Sequence, residues 1–283
     1  MNKPVDLTKN MEFDIYLDAA IKAARSAGTI LMNGLDRRIK VEYKGRINLV
    51  TEIDRASQKC ILNTLHSSFP DHEFLAEEEE SQSLPTAKRD KTGDGEYLWV
   101  IDPLDGTTNY THGYRCFAIS IALMIRQEIT VGLVYDPWCD ELFTAIRGRG
   151  AYLNGNPVCV SEEDDLERSL LVTGFPYDIR EGKVTNLGLF NHLILKAQAI
   201  RRDGSAALDM AYVAAGRFDG FWELKLHPWD VAAGALIIEE AGGMISTFAG
   251  ETFHITSHDV LATNGKIHRA LMQAISEVPQ DAW

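Results

Sequence analysis

Two aspartates three positions apart, Asp102 and Asp105, flank a proline and a leucine and run into Gly106, Thr107 and Thr108. An apolar run from Leu98 to Ile101 precedes them, so the pair sits where a buried strand ends. Pro103 cannot donate to a sheet ladder, which predicts that the strand stops and the chain turns here. Such a turn brings the two carboxylates together with the Leu104 carbonyl between them, and hard oxygen donors of this kind suit magnesium. Gly106 lets backbone approach a ligand closely, and Thr107 and Thr108 would open a helix whose free N–H groups face an anion. An Asp-rich turn that merely caps a helix is the plainer reading of the same residues.

Other carboxylates stand at comparable places. The glutamate run 77–80 directly follows the apolar Phe74, Leu75 and Ala76, which puts Glu77 and Glu78 at a strand end. A charge run is more often a solvated loop, but strand ends are where α/β folds assemble their sites. Asp230 follows His227, Pro228 and Trp229 at the start of a helical pattern, as an N-cap or a third aspartate ligand. Gly204, Ser205 and Ala206 open another helix with small residues that admit a polar ligand or a neighbouring helix. No nucleophile elbow, P-loop, HExxH or dinucleotide fingerprint is present. The eight histidines form no ligand-spaced pair on one helix and read mostly as surface residues.

The elements that must position these residues follow from periodicity. Residues 1–10 read as a polar tail, followed by an amphipathic helix carrying Phe13, Leu17, Ala20, Ala24 and Leu31. A short strand or turn at 48–54 feeds a second helix that stops near Pro70. Residues 81–96 read as a mobile loop. Closely spaced β-rich runs at 97–101, 117–126 and 129–135, continuing through 141–160, predict an antiparallel meander. Beyond it, strands and helices alternate, as in an α/β unit. The expected organisation is an α+β domain over 11–158 and an α/β domain over 159–283.

The chain has 283 residues, 45% hydrophobic, with 28 Lys and Arg against 41 Asp and Glu, a net charge of −13. That balance argues against broad nucleic-acid binding. It also means that a phosphate ester binds only where something local reverses the field, and divalent cations do that. No apolar run reaches the roughly 20 residues needed to span a bilayer. The N-terminus has no apolar h-region, and the four cysteines show no CxxC, so a reducing, cytoplasmic setting is expected.

Together these segments resemble the inositol monophosphatase family. Residues 99–110, WVIDPLDGTTNY, are similar to its first signature and residues 229–243, WDVAAGALIIEEAGG, to its second. LVTEID at 49–54, FLAEE at 74–78, GSAA at 204–207 and Glu223 also fit, in order along the chain. The resemblance implies an alternating α-β-α-β-α sandwich of the sugar phosphatase type, commonly a homodimer. It implies Mg²⁺-dependent hydrolysis of a small phosphorylated polyol or sugar, with inositol 1-phosphate the first expectation. By that resemblance Glu77, Asp102 and the Leu104 carbonyl hold one Mg²⁺, and Asp102, Asp105 and Asp230 a second. A third, looser ion leans on Glu77 through water, with Glu78 the alternative to Glu77. Mn²⁺ is a possible substitute, and Li⁺ or Ca²⁺ inhibits. Asp54 and Thr107 orient and deprotonate the attacking water, Gly106 and Thr107 receive the phosphate, and Asp105, Gly204, Ser205, Ala206 and Glu223 contact the alcohol. Fructose 1,6-bisphosphate, NADP, histidinol phosphate or a nucleotide 3′-phosphate are the alternative substrates. Some bacterial members act with the transcription or RNA-processing machinery, which leaves a regulatory binding role as the competing function.

Overall fold

Each central strand of the larger sheet is apolar on both faces, and this dictates the layering. In β4 (Tyr97–Asp105) Leu98 and Val100 pack into one core while Trp99 and Ile101 pack into another. β5 (Ala118–Ile125) divides likewise, with Ala118 and Ala122 on one side and Ile119, Ile121 and Leu123 on the other. A sheet buried on both faces must carry helices on both. The computed structural model describes residues 7–35, 41–43, 49–78, 96–280 and 283.

The seven-stranded sheet runs in sequence order: β3 (Glu73–Ala76), β4, β5, β6 (Glu128–Asp136), β7 (Glu141–Ile146), β8 (Ala151–Leu153) and β9 (Asn156–Val158). β3 pairs parallel to β4 and all later pairs are antiparallel, so the predicted meander is present. One face carries α1 (Leu7–Gly34) and α2 (Glu52–Ser68). The other carries α5 (Ala206–Ala214) and α6 (Pro228–Glu240). Those two helices also pack on a five-stranded mixed sheet ordered β11 (Ala199–Arg201), β10 (Leu170–Thr173), β12 (Gly220–Leu224), β14 (Asp259–Thr263) and β13 (Met244–Ser246). α4 (Leu187–Leu193) and α7 (His268–Ser276) cover its far face through Leu189, Leu193, Leu271 and Ile275. The layers alternate α-β-α-β-α. A two-stranded pair, β1 (Val41–Tyr43) with β2 (Leu49–Thr51), and the short α3 (Thr107–Thr111) complete the description.

Four expectations need revision. The strand does not stop at Pro103: β4 continues to Asp105 through a register shift between Asp102 and Asp105, a bulge that accommodates the proline. Helix α1 starts at Leu7, inside the segment read as a tail. Asp230 is not the N-cap of α6; His227 is, and Asp230 occupies the third helical position of a capping box. His72 and His268 are core rather than surface residues, 8% and 4% exposed, because hydrogen bonds to Trp99 Nε1, Ser246 and Thr263 satisfy their rings. The loop expected at 81–96 falls almost wholly outside the described residues. Among the described residues the four cysteines are free, and no helix is long and apolar enough to cross a membrane.

The second sheet is locked to the loop beside the site by Asn186. Its Nδ2 donates to the Gly174 carbonyl (2.6 Å) and to Thr173 Oγ1 (2.9 Å), and its Oδ1 accepts from Trp222 Nε1 (2.8 Å). The residue is fully buried at φ 69°, a left-handed conformation that asparagine tolerates better than most. Asn186→Ala should therefore lose roughly 3–5 kcal/mol of stability in urea unfolding, since it strands a buried indole N–H and a carbonyl and keeps the backbone strain. A loss under about 1 kcal/mol would show that these bonds are not what holds the loop.

Candidate active site

Helix α2 sets the site out. Asp54, Ser57 and Gln58 recur at i, i+3 and i+4 on its buried face, and apolar Ile61, Leu62 and Leu65 continue that face into the core. Each polar residue fixes a different segment. Asp54 Oδ1 accepts from Thr107 Oγ1 at 3.0 Å. Ser57 Oγ donates to the Pro103 carbonyl at 2.7 Å, clamping the β4 bulge. Gln58 exchanges two hydrogen bonds with the Glu78 backbone, at 2.9 and 3.0 Å, which fixes the end of β3.

The bulge decides where side chains go. Asp102 continues the face of Leu98 and Val100, towards α5 and α6, and is 2% exposed. Without a register shift Leu104 would share that face. With it, the Leu104 side chain enters the core under α1 and α2, leaving its backbone at the site. The Leu104 N–H donates to Asp102 Oδ1 (2.9 Å), and its carbonyl accepts from Thr107 Oγ1 (3.0 Å). Gly106 follows at φ 90°, and a Cβ there would meet the Cys116 carbonyl at 2.9 Å, so both conformation and space require glycine.

Asp105 crosses to the second half of the chain. Its Oδ2 accepts from Ser205 Oγ (2.6 Å) and from the Ala207 N–H (2.8 Å), so it sits on the N-terminus of α5. Asn109 Nδ2 adds bonds to the Cys116 and Asp203 carbonyls, 2.7 Å each. Asp230 projects from the first turn of α6, its Oδ2 held by the His227 N–H at 2.7 Å. Glu223, 7% exposed, faces Gly174, where a Cβ would lie 2.1 Å from Oε1. Asp105, Gly106, Gly204, Ser205, Ala206, Glu223 and Asp230 line a common cleft of about 100 Å³.

Electrostatically this is a concentration of negative charge. Burial, then the fields of Glu77, Asp105 and Asp230, pushes the Asp102 carboxyl well above the usual carboxylate range. Burial and Asp105 do the same to Asp230, against the His227 N–H. Asp105 is raised to about 6 by burial, despite the bonds from Ser205 and Ala207. Glu223 is raised to about 8 by burial, with Arg202 opposing and Asp105 adding to the rise. None of these four carboxylates forms an ion pair among the described residues. No tight cluster of three or more metal-ligating side chains is preformed among the described residues either. Like charges at this spacing repel, so drawing them round one point requires compensating positive charge. Carboxylates plus the Leu104 backbone carbonyl, all hard oxygens, match a small divalent cation.

Of the twelve site residues expected from the sequence, seven line this cleft, while Asp102, Leu104 (through its backbone), Thr107 and Asp54 form a hydrogen-bonded chain leading from the β4 bulge to α2. Glu77 contributes to the field at Asp102 and Asp230, whereas Glu78 is 3% exposed and tied by its backbone to Gln58. Sequence reasoning passed over Ser57, Gln58, Gly174 and Asp209. The i, i+3, i+4 spacing of polar residues on an otherwise apolar helix face was the available signal for the first two. Asp209 is the only charged residue in the apolar α5, AALDMAYVA, and stood out in the same way.

A family model described as the inositol monophosphatase family matches residues 14–280. The chain is 41% identical to inositol monophosphatase 3 of Solanum lycopersicum over 274 residues, covering 96% of this chain and 100% of that protein. It is 43% identical to a protein named Nus factor SuhB of Pseudomonas aeruginosa over 266 residues, 92% of this chain and 95% of that one. The solved structure of an inositol monophosphatase from Anabaena superposes with a TM-score of 0.84 at 44% identity, covering 96% of this chain and 100% of that chain.

The raised carboxylates fix a sign for pH dependence. Glu223 ionises near 8 in the folded chain against 4.5 ordinarily, so between those values the folded state binds more protons than the unfolded. Stability then rises as pH falls through that window. In EDTA the melting temperature should climb from about pH 8 to about pH 6.5, and saturating Mg²⁺ should shrink or invert the climb, since cation binding favours ionised ligands. A melting temperature that falls over that range in EDTA would refute the reading that burial holds the Glu223 carboxyl protonated.

Proposed function

The chain belongs to the inositol monophosphatase family and is a phosphoric monoester hydrolase acting on a small phosphorylated substrate, and on that premise we propose that it hydrolyses inositol 1-phosphate in a Mg²⁺-dependent reaction. One observation carries the metal reading: Asp102, Asp105 and Asp230 are gathered beside Glu77 and the Leu104 carbonyl, and none of these three aspartates pairs with a cationic side chain among the described residues. Glu77, Asp102, the Leu104 carbonyl, Asp105 and Asp230 are the groups that would hold two Mg²⁺, with a third near Glu77. When bound, the cations supply the positive charge that offsets the carboxylates and the phosphate and that makes a water acidic enough to attack near neutral pH.

The chain's own residues do the rest. Thr107 Oγ1 lies 3.0 Å from both Asp54 Oδ1 and the Leu104 carbonyl, and its single proton serves one of them at a time. Donated to Asp54, it leaves the Leu104 carbonyl available to a ligand. The Thr107 lone pairs then accept from the attacking water, and Asp54 takes up the proton that the water releases through Thr107. The Gly106 and Thr107 N–H groups receive the phosphate. Asp105, the turn of Gly204, Ser205 and Ala206, and Glu223 line the cleft for the alcohol. No side-chain nucleophile is needed, because phosphoryl transfer relies on positioning and charge neutralisation.

The relative named Nus factor SuhB supports a second reading, in which binding to a partner matters beside or instead of hydrolysis. A cytoplasmic homodimer is the setting proposed for either role.

Phosphate release from inositol 1-phosphate should require Mg²⁺ or Mn²⁺ and be inhibited by Li⁺ and Ca²⁺. No release from a panel of polyol and sugar phosphates, with metal supplied, would sink the hydrolytic reading. Glu77→Gln should reduce kcat/KM by roughly a hundredfold and weaken Mg²⁺ binding, whereas Glu78→Gln should stay within about threefold of the parent. The reverse pattern would transfer the ligand role to Glu78. Asp105→Asn should be inactive, and its rescue of a deletion phenotype would favour the binding role.

A further inference from the structure

The cleft extends past the carboxylates of the metal site to a second polar end, where Glu223 is joined by two groups that the mechanism leaves unused, Asp209 and Arg202. Asp209 lies one turn into α5, at i+4 from Ser205, whose carbonyl accepts the Asp209 N–H at 2.9 Å. It shares the face of the helix that Ser205 presents to Asp105. Asp209 lines the cleft, is 1% exposed, and its Oδ1 is enclosed without a hydrogen-bond partner. Removing a carboxylate from water without a donor is costly, and closeness to a helix N-terminus offsets only a fraction of that cost. Glu223 faces the same cleft from β12 and adds to the field that holds the Asp209 carboxyl up. Arg202 stands at the rim, exposed, with its Nη1 near Gly204, and forms no ion pair among the described residues.

These three groups set what can bind there. Two buried carboxylates call for hydrogen-bond donors, and the guanidinium offers donors of its own. A hydroxyl meets both requirements, donating to a carboxylate and accepting from Arg202. A second phosphate would place further negative charge beside Asp209 and Glu223 and is disfavoured. Building on the phosphatase reading above, we infer that Asp209 is a specificity-determining residue. With Glu223 and Arg202 it reads neighbouring hydroxyls of the alcohol part, so the site favours uncharged polyol monophosphates over bisphosphates and nucleotides.

The test compares the parent protein with Asp209→Ala and Asp209→Asn on inositol 1-phosphate and on phenyl phosphate, which has no hydroxyls to read. Melting temperature with and without free inositol is measured in parallel. The ratio of kcat/KM for the polyol ester to that for the phenyl ester should fall roughly tenfold or more in Asp209→Ala, mainly through KM. Free inositol should raise the melting temperature of the parent but not of the variants. Asp209→Asn should itself melt no lower than the parent, because a buried carboxylate without a partner is lost. A ratio that stays within about twofold, with the inositol-induced shift intact, overturns the assignment to Asp209 and leaves the phosphatase reading standing. Variants that melt far below the parent with that ratio unchanged also overturn it, marking Asp209 as structural. If the parent cleaves neither ester yet free inositol stabilises it through Asp209, hydrolysis is the reading that fails and this one holds.

Discussion

Asp102 and Asp230, whose carboxyls burial and neighbouring acids hold well above the usual range, are gathered with Asp105, which burial raises to about 6, beside Glu77, an arrangement that no chain adopts for its own stability. The surrounding structure has to over-determine each of them. Asp102 is fixed by the Leu104 N–H, Asp105 by Ser205 and the start of α5, and Asp230 by the His227 N–H of its own helix. The end of β3 beside Glu77 is fixed by Gln58. The anchors of the three aspartates are neutral backbone and hydroxyl donors. Such donors orient a carboxylate without cancelling its charge, which is the ground on which a cation is proposed here.

The β4 bulge resolves a conflict between core and site. A regular strand through Asp102 and Leu104 would aim both side chains at α5 and α6, putting a leucine among carboxylates and leaving a gap beneath α1 and α2. One shift of register returns Leu104 to the opposite core, where it is 1% exposed, and leaves its carbonyl behind. A proline, which would break a regular ladder, is tolerated there because the ladder is already interrupted.

Much of this was legible in the residues. The antiparallel meander, the alternation after residue 159 and the helix starts at Ser205 and near Asp230 follow from periodicity and capping chemistry. What could not be read locally was decided by partners distant in sequence. Pro103 announced a turn, but Ser57, 46 residues earlier, holds the strand together around it. His72 looked solvent-facing by residue type, yet Phe69 and Tyr97 stack on it at 4.9 and 4.4 Å and Trp99 bonds its ring. Asp230 had the residue type of an N-cap, but the backbone of His227 took that position. Asp209 was visible as a lone acid in an apolar helix, and only the fold shows which cleft it lines.

The bond between Ser205 and Asp105 spans 100 residues of chain, and Asn109 reaches Asp203 across 94. Contacts of such separation close late in folding, after local hairpins and helices have formed. A chain emerging from its N-terminus completes β4 and its bulge well before α5 and α6 exist. Until then Asp105 lacks its anchor and Asp230 is missing altogether. The carboxylate cluster is therefore a product of late assembly, incomplete until the chain has been made and folded through α6.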